Sequence, residues 1–284
     1  MSQVVRLGGR EIVTEGLYIS FWTDISHRCM TASWPSFIGG AGLVFIIFNA
    51  VFASFYWIGH QPIANVPTGA YIDYLYFSIE TLSTAGYGDM HPQTHYGHFI
   101  AAVELFTGIF SMSLMTGLIF ARFSRPNARL LFVENPVISD HEGQPTLMVR
   151  LANERHNVIS NATARLWVFK DFVSMEGQSF RRFYELPLTR NESPALALSW
   201  TLFHRLDEQS PLRGLDADGF AAANVTLVVV VSGYDTVAAQ TVHARKSWDH
   251  PEIRFGHRYA EILGTTNDGR LRIDYGRFHE TIPG

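Results

Sequence analysis

Thr81-Leu82-Ser83-Thr84-Ala85-Gly86-Tyr87-Gly88-Asp89 is the stretch on which the reading of this chain turns. Gly86 and Gly88 let the backbone adopt dihedrals that L-residues reach only at a steric cost. A run of that kind can aim successive carbonyl oxygens at one narrow axis, where they replace the water shell of a cation. Thr84 can add its hydroxyl as an inner ligand, and the Tyr87 ring can pack outward as a strut. Taken alone, Gly-Tyr-Gly is also an ordinary turn, so its meaning depends on what flanks it.

The flanks are two long apolar segments. Residues 37–57 carry no charge and are bounded by Trp34-Pro35 and Tyr56-Trp57. About 20 apolar residues cross a hydrocarbon core, and aromatic residues collect at its two interfaces. Residues 99–120 form the second span, with Glu104 its one charge. An intramembrane carboxylate is functional by default, but the sequence leaves Glu104 facing either a cavity or the filter. Between the spans lie a polar turn (59–68) and a short apolar helix (71–83), too short to cross. Such a helix suits a re-entrant pore helix, whose C-terminal dipole end favours a cation. Non-helical backbone at membrane depth is tolerated only where protein or water surrounds it.

Arg122, Arg125 and Arg129 follow the second span, while the loop between the spans has no Lys or Arg. Positive charge stays inside, so both termini are expected in the cytoplasm and the filter loop outside. Two spans cannot enclose a pore, and a carbonyl ring of this type requires a closed homotetramer. Ahead of the spans, Tyr18, Phe21, Trp22, Ile25 and Cys29 share one helical face, as an interfacial helix would have. Residues 1–12 read as a mobile tail, and no secretory signal pattern precedes the helix.

Composition agrees with this division. Charged residues make up 17% of the 284 residues, low against about 25% for soluble domains. A net charge of -4 without basic stretches gives no sign of nucleic acid as a partner. Cys29 is the single cysteine, which excludes intrachain disulfides and cysteine metal clusters. His91, His95 and His98 lie near the expected outer mouth, but Pro92 breaks their helical spacing and no carboxylate motif joins them. From residue 130 the pattern changes to short β-like runs at 130–139, 146–152, 164–170, 180–188, 195–203, 225–231, 237–245, 253–259 and 271–273. Turn residues such as 216–219 separate them. This spacing predicts an antiparallel sandwich, with 225–231 a buried strand and not a third span. A Gly-x-Gly-x-x-Gly after a strand is absent, which argues against a dinucleotide-binding regulatory domain.

The whole chain resembles the bacterial inward-rectifier potassium channels. The segments that carry the resemblance are Glu80-Thr-Leu-Ser-Thr-Ala-Gly-Tyr-Gly-Asp-Met-His-Pro-Gln-Thr94, Gly117-Leu-Ile-Phe-Ala-Arg-Phe-Ser-Arg-Pro126, Thr146-Leu-Met-Val-Arg150 and Leu198-Ser-Trp200. The resemblance implies an N-terminal tail and slide helix (1–33), a transmembrane pore domain (34–126) with pore helix and filter at 71–89, and a cytoplasmic immunoglobulin-like β-sandwich (127–284). It implies a homotetramer in a bacterial inner membrane, conducting potassium passively without a cofactor. Thr84, Ala85, Gly86, Tyr87 and Gly88 would be the filter, with the permeant ion held at Thr84 to Tyr87. Glu80 and Asp89 resemble the carboxyl pair that supports the filter from behind.

Met112, Thr116 and Phe120 repeat at i, i+4 and i+8, so one face of the inner helix lines the expected pore. By resemblance, Phe120 is the constriction that closes by dewetting, and Gly108 and Gly117 are candidate hinges. Met112 stands where strongly rectifying relatives place an acidic residue, so block by polyamines or magnesium should be weak. Arg122 and Arg125 resemble lipid-headgroup contacts, anionic lipid or phosphoinositide being the expected partner. Ala85 departs from the family's Val or Ile. The smaller side chain loosens the scaffold behind the carbonyls, so the alternative is a poorly selective cation channel on the same scaffold. A membrane-anchored adaptor or enzyme is a further alternative, against which no catalytic motif or phosphate loop is evident. A voltage sensor lacks its arginine-rich span.

Overall fold

The computed structural model of the chain describes residues 3–7, 10–14, 25–125, 128–155 and 157–284. They divide into two units, residues 18–125 and residues 1–17 together with 126–284. At the N-terminus, β1 (Gln3–Leu7) and β2 (Arg10–Thr14) pair antiparallel, with Gln3 opposite Thr14. The tail expected over residues 1–12 is therefore corrected to a ribbon. Its signal is present in sequence: β-branched Val4, Val5, Ile12 and Val13 flank Gly8-Gly9.

The unit spanning residues 18–125 holds α1 (Ile25–Thr31), α2 (Trp34–Ile58), α3 (Tyr71–Leu82) and α4 (His95–Phe123). Of the helix expected from Tyr18, Tyr18, Phe21 and Trp22 lie outside the described residues, whereas Ile25 and Cys29 fall in α1. α2 and α4 are long and apolar enough to cross a membrane. They have 25 and 29 residues, so each exceeds the ~30 Å hydrocarbon core at 1.5 Å per residue. Both outrun the segments 37–57 and 99–120 because capping side chains set their starts. The Ser36 amide donates to Ser33 Oγ (3.3 Å), and the Gly97 amide donates to Thr94 Oγ1 (3.0 Å).

α3 has 12 residues and buries Tyr74, Phe77, Ser78, Thr81 and Leu82. It faces the α2 row Asn49, Phe52, Ala53 and Tyr56, spaced i, i+3, i+4 and i+7. The Tyr56 and Phe77 rings meet edge to face at 5.1 Å. Lipid is as apolar as these side chains, so close packing and hydrogen bonds hold the helices together, not water exclusion. β3 (Ile63–Ala64) and β4 (His91–Pro92) pair antiparallel and cinch the base of the connection that contains α3.

The other unit is built on two five-stranded sheets. Its strands are β5 (Leu130–Phe132), β6 (Val137–His141), β7 (Gln144–Asn153), β8 (Ile159–Val173), β9 (Ser179–Leu186), β10 (Glu192–Leu196), β11 (Ser199–Arg205), β12 (Thr226–Asp235), β13 (Gln240–Asp249) and β14 (Arg254–Phe255). One sheet has the order β10-β8-β12-β13, with β9 also on β8; the other has β11-β7-β6-β14, with β5 on β7. Inward residues of both sheets share one core, including Leu147, Val149 and Leu151 from the second and Leu166, Val168, Leu227 and Val229 from the first. β12 lies between β8 and β13, and its apolar run is buried at Leu227, Val228, Val229 and Val231.

Three sequence expectations change. β14 pairs parallel to β6, so that sheet is mixed, while the other is wholly antiparallel as expected. The runs expected at 130–139, 195–203 and 253–259 each divide: the second because β10 joins one sheet while β11 joins the other, the third because β14 joins β6 while residues 257–259 pair with 281–283. The turn expected at 216–219 opens a short helix, α5 (Ala217–Ala222), whose Gly219 amide donates to the Asp216 carboxylate (2.8 Å). The same local bond serves a turn or a helix cap, so the sequence does not separate them.

Candidate functional site

Where α3 ends, the backbone turns back on the helix. The Thr84 amide donates to the Thr81 carbonyl (3.0 Å), and the Ala85 and Gly86 amides both donate to the Glu80 carbonyl (2.8 and 3.2 Å). From there φ is positive at every second residue: 61° at Thr84, 55° at Gly86 and 87° at Gly88. Glycine enters this region freely. Thr84 does so against its β-branch, at a cost of about 1–3 kcal/mol that the surrounding bonds must hold. A β-carbon at Gly86 or Gly88 would meet nothing within 4 Å in the same chain, so backbone conformation and not space requires glycine there. Within one chain Thr84, Ala85, Tyr87 and Asp89 are exposed, Tyr87 at 79%.

The loop is fixed at both ends. Asn65 Nδ2 donates to the Asp89 carbonyl (2.8 Å), and the Gln93 amide donates to the Pro62 carbonyl (2.9 Å). At the start of α3, the Asp73 carboxylate accepts from Thr68 N (2.9 Å), Thr68 Oγ1 (2.6 Å) and Ala70 N (3.3 Å). No hydrogen bond joins the Glu80 and Asp89 side chains among the described residues; Glu80 is half-buried and Asp89 exposed. Within one chain the Glu80 backbone carbonyl, more than its carboxyl, touches the segment expected to be the filter.

Behind α3, the structure turns Glu104 inward. Tyr56 Oη donates to Glu104 Oε2 (2.6 Å), and Ser78 Oγ bonds to Glu104 Oε1 and lies 3.1 Å from Asn49 Oδ1. All four residues are buried. One turn along, a β-carbon on Gly108 would lie 2.3 Å from the Leu82 carbonyl oxygen. Gly108 thus serves a close approach between α4 and α3, whereas Gly117 has nothing within 4 Å of a built β-carbon. The signal that could have placed Glu104 is the buried stripe Gly97, Ala101, Glu104 and Gly108 at i, i+4, i+7 and i+11. Small residues at that spacing mark a helix face in close contact.

The row Glu104, Gly108, Met112, Thr116 and Phe120 advances four residues at a time, drifting about 40° per step on a helix of 3.6 residues per turn. It begins buried against α3 and ends exposed, with Met112 at 60% and Phe120 at 72%. Beyond it, Arg122 reaches the C-terminal end of α1: Nη1 donates to the Cys29 carbonyl and Nη2 to the Ala32 carbonyl (2.7 Å). Its guanidinium lies 4.6 Å from the Trp34 and Phe37 ring centroids, within cation–π range of both. Arg125 is exposed and donates to the Met30 carbonyl (3.0 Å). Cations suit a helix C-terminus, where carbonyls lack partners. Among the described residues, no group of three or more His, Cys, Asp and Glu is placed to hold a metal.

Comparison with known proteins gives two matching family models. One described as inward rectifier potassium channel C-terminal domain matches residues 130–283, and one described as ion channel matches residues 41–125. The chain is 37% identical over 274 residues to the inward rectifier potassium channel Kirbac3.1 of Paramagnetospirillum magnetotacticum, covering 96% of this chain and 93% of that protein. It is 30% identical over 241 residues to inward rectifier potassium channel 4 of Homo sapiens, covering 78% of this chain and 53% of that one. With ATP-sensitive inward rectifier potassium channel 12 of Homo sapiens it shares 27% over 290 residues, covering 92% and 65%. The chain spans less than two thirds of the length of these two human relatives.

Proposed function

The chain belongs to the bacterial inward-rectifier potassium channel family, and from that premise we propose that it conducts potassium passively through a filter formed by Thr84–Gly88. It is a multi-pass membrane channel protein and not an enzyme. The observation that carries the proposal is the positive φ at Thr84, Gly86 and Gly88. Backbone that alternates in handedness turns successive carbonyls to one side, as an oxygen ladder for a bare cation requires. Four copies close the ring, with α3 as the re-entrant pore helix, α4 as the inner helix and α1 as part of the slide helix. The two-sheet unit is the immunoglobulin-like cytoplasmic domain, and both termini lie on the cytoplasmic side of a bacterial inner membrane.

In this reading Met112 and Thr116 line the cavity and Phe120 closes it. Gly117, free of close contacts, is the better hinge of the two glycines. Glu80 and Asp89 support the filter in the assembled tetramer. Arg125, exposed and with donors left over, meets anionic headgroups or phosphoinositide, while Arg122 is committed to α1. Potassium is the permeant ion, and no cofactor takes part.

A second reading, a poorly selective cation channel, is favoured by one observation: Ala85 puts a single methyl behind its carbonyl. Potassium flux into liposomes holding the purified tetramer, with barium as blocker and anionic lipid added, tests both. Barium-sensitive uptake that sodium does not share supports the potassium channel. Equal potassium and sodium uptake favours the second reading, and absence of flux with any lipid defeats both.

A further inference from the structure

Asn49 and Tyr56 of α2, Ser78 of α3 and Glu104 of α4 meet in one cluster, each no more than 1% exposed. No Lys or Arg occurs between Trp34 and Ala121, and Arg122, in the last turn of α4, is bonded to the Cys29 and Ala32 carbonyls, so neither type of cation pairs with the carboxyl. An ionised carboxylate buried without a cation is costly.

The hydrogen bonds can be counted atom by atom. Asn49 Nδ2 donates to the Phe45 carbonyl (2.7 Å). That bond fixes the amide, because the flipped form would set two oxygens against each other. Asn49 Oδ1 therefore faces Ser78 Oγ as an acceptor. Ser78 has one hydrogen, yet its oxygen lies against both Asn49 Oδ1 and Glu104 Oε1. The count closes when Ser78 donates to Asn49 and Glu104 carries a proton on Oε1 that it donates to Ser78. Tyr56 then donates to Glu104 Oε2, and every group has a partner.

The consequence reaches the filter. Ser78 stands two residues before Glu80, whose carbonyl receives the Ala85 and Gly86 amides. Glu104 and Gly108 on α4 meet Ser78 and Leu82 on α3 one turn apart. Sliding one helix along the other would break a buried hydrogen bond at one turn and create a clash at the next. We propose that Glu104, held as a neutral acid, is a positioning residue that locks the inner helix to the pore helix and so sets the place of the filter backbone. The proposal rests on reading Thr84–Gly88 as the filter.

The test uses the full tetramer in liposomes, with two readouts: potassium over sodium permeability, and amide hydrogen exchange at residues 84–88. Glu104→Gln keeps the shape, accepts from Tyr56 and donates to Ser78, so both readouts stay at wild type. Glu104→Ala lowers the permeability ratio about tenfold, the size expected for one coupled contact, and speeds exchange at 84–88. Ser78→Ala combined with Glu104→Ala does no more than the worse single change, because both act on one path. Should Glu104→Ala fail to assemble, Tyr56→Phe removes one donor without a cavity and must also speed exchange. Wild-type exchange in an assembled Glu104→Ala tetramer, or in Tyr56→Phe, overturns the proposal. So does a Glu104→Gln variant as damaged as Glu104→Ala, since charge and not hydrogen bonding would then be at work. A wild-type pore with no preference for potassium defeats the filter reading alone, because exchange at 84–88 reports the positioning without any ion flow.

Discussion

The α-carbon of Gly108 lies so near the Leu82 carbonyl that a β-carbon on it would stand 2.3 Å from the oxygen. The last turn of α3, which leads into the proposed filter, therefore depends on a missing side chain in α4. Gly108→Ala is expected to lower the stability of the protein by about 1–3 kcal/mol, the usual cost of overpacking. Gly117→Ala, with open space around it, should leave the melting temperature within a few degrees and reduce open probability if that glycine bends. Melting of the detergent-solubilised channel together with single-channel recording checks both; equal destabilisation by the two changes would contradict close packing at Gly108.

Ala85→Val adds two methyl groups behind a carbonyl of the proposed filter. Filling that volume contributes about 1–3 kcal/mol of packing in the assembled ring. Longer openings and a reversal potential nearer that of potassium are expected in the variant. Identical selectivity and open lifetimes would show the position to be silent.

Arg122 and Arg125 separate by their contacts. Arg122→Lys keeps the charge but loses the fork that holds the Cys29 and Ala32 carbonyls and the Trp34 and Phe37 rings. Charge-assisted bonds are worth about 1.5–3 kcal/mol each, so amide exchange in residues 25–31 should rise at least tenfold. Arg125→Ala removes one bond to α1, at the Met30 carbonyl, so it should raise exchange there less than Arg122→Lys, and it should weaken binding to anionic liposomes by about 1 kcal/mol. The reverse pattern would assign the lipid contact to Arg122.

His204 makes the two-sheet unit sensitive to acid. Its Nδ1 faces the Pro187 carbonyl (2.8 Å), which only accepts, so the hydrogen sits there and Nε2 accepts from Ser210 Oγ (2.9 Å). Burial holds the ring below the usual histidine pKa, against the opposing pull of the Pro187 carbonyl and Asp207. With the folded value lowered, the unfolded chain takes up the proton first as pH falls. Stability is therefore unaffected above about pH 6.5, the unfolded value, and declines below it until the folded ring also titrates. The melting temperature of the purified protein should drop between about pH 7 and about pH 5, and less steeply in His204→Gln. Equal slopes would remove His204 as the cause.

Both membrane helices, the short helix between them and most strands were legible in the sequence, because each rests on local pattern. An uncharged run of membrane length, a Gly-Tyr-Gly between two such runs and β-branched runs between turn residues need no distant partner to be recognised. The N-terminal ribbon is legible too, in the β-branched residues on either side of Gly8-Gly9. What only the tertiary structure decided depends on residues far apart in the chain. Glu104 meets Ser78 and Tyr56, 26 and 48 positions away, and Arg122 meets Cys29, 93 positions away. Sequence offered Gly108 and Gly117 alike as candidate hinges; packing separates them, since Leu82 lies against Gly108 and nothing lies within 4 Å of a β-carbon on Gly117. A side chain's type sets which bonds it can form, and the fold selects which partner it finds.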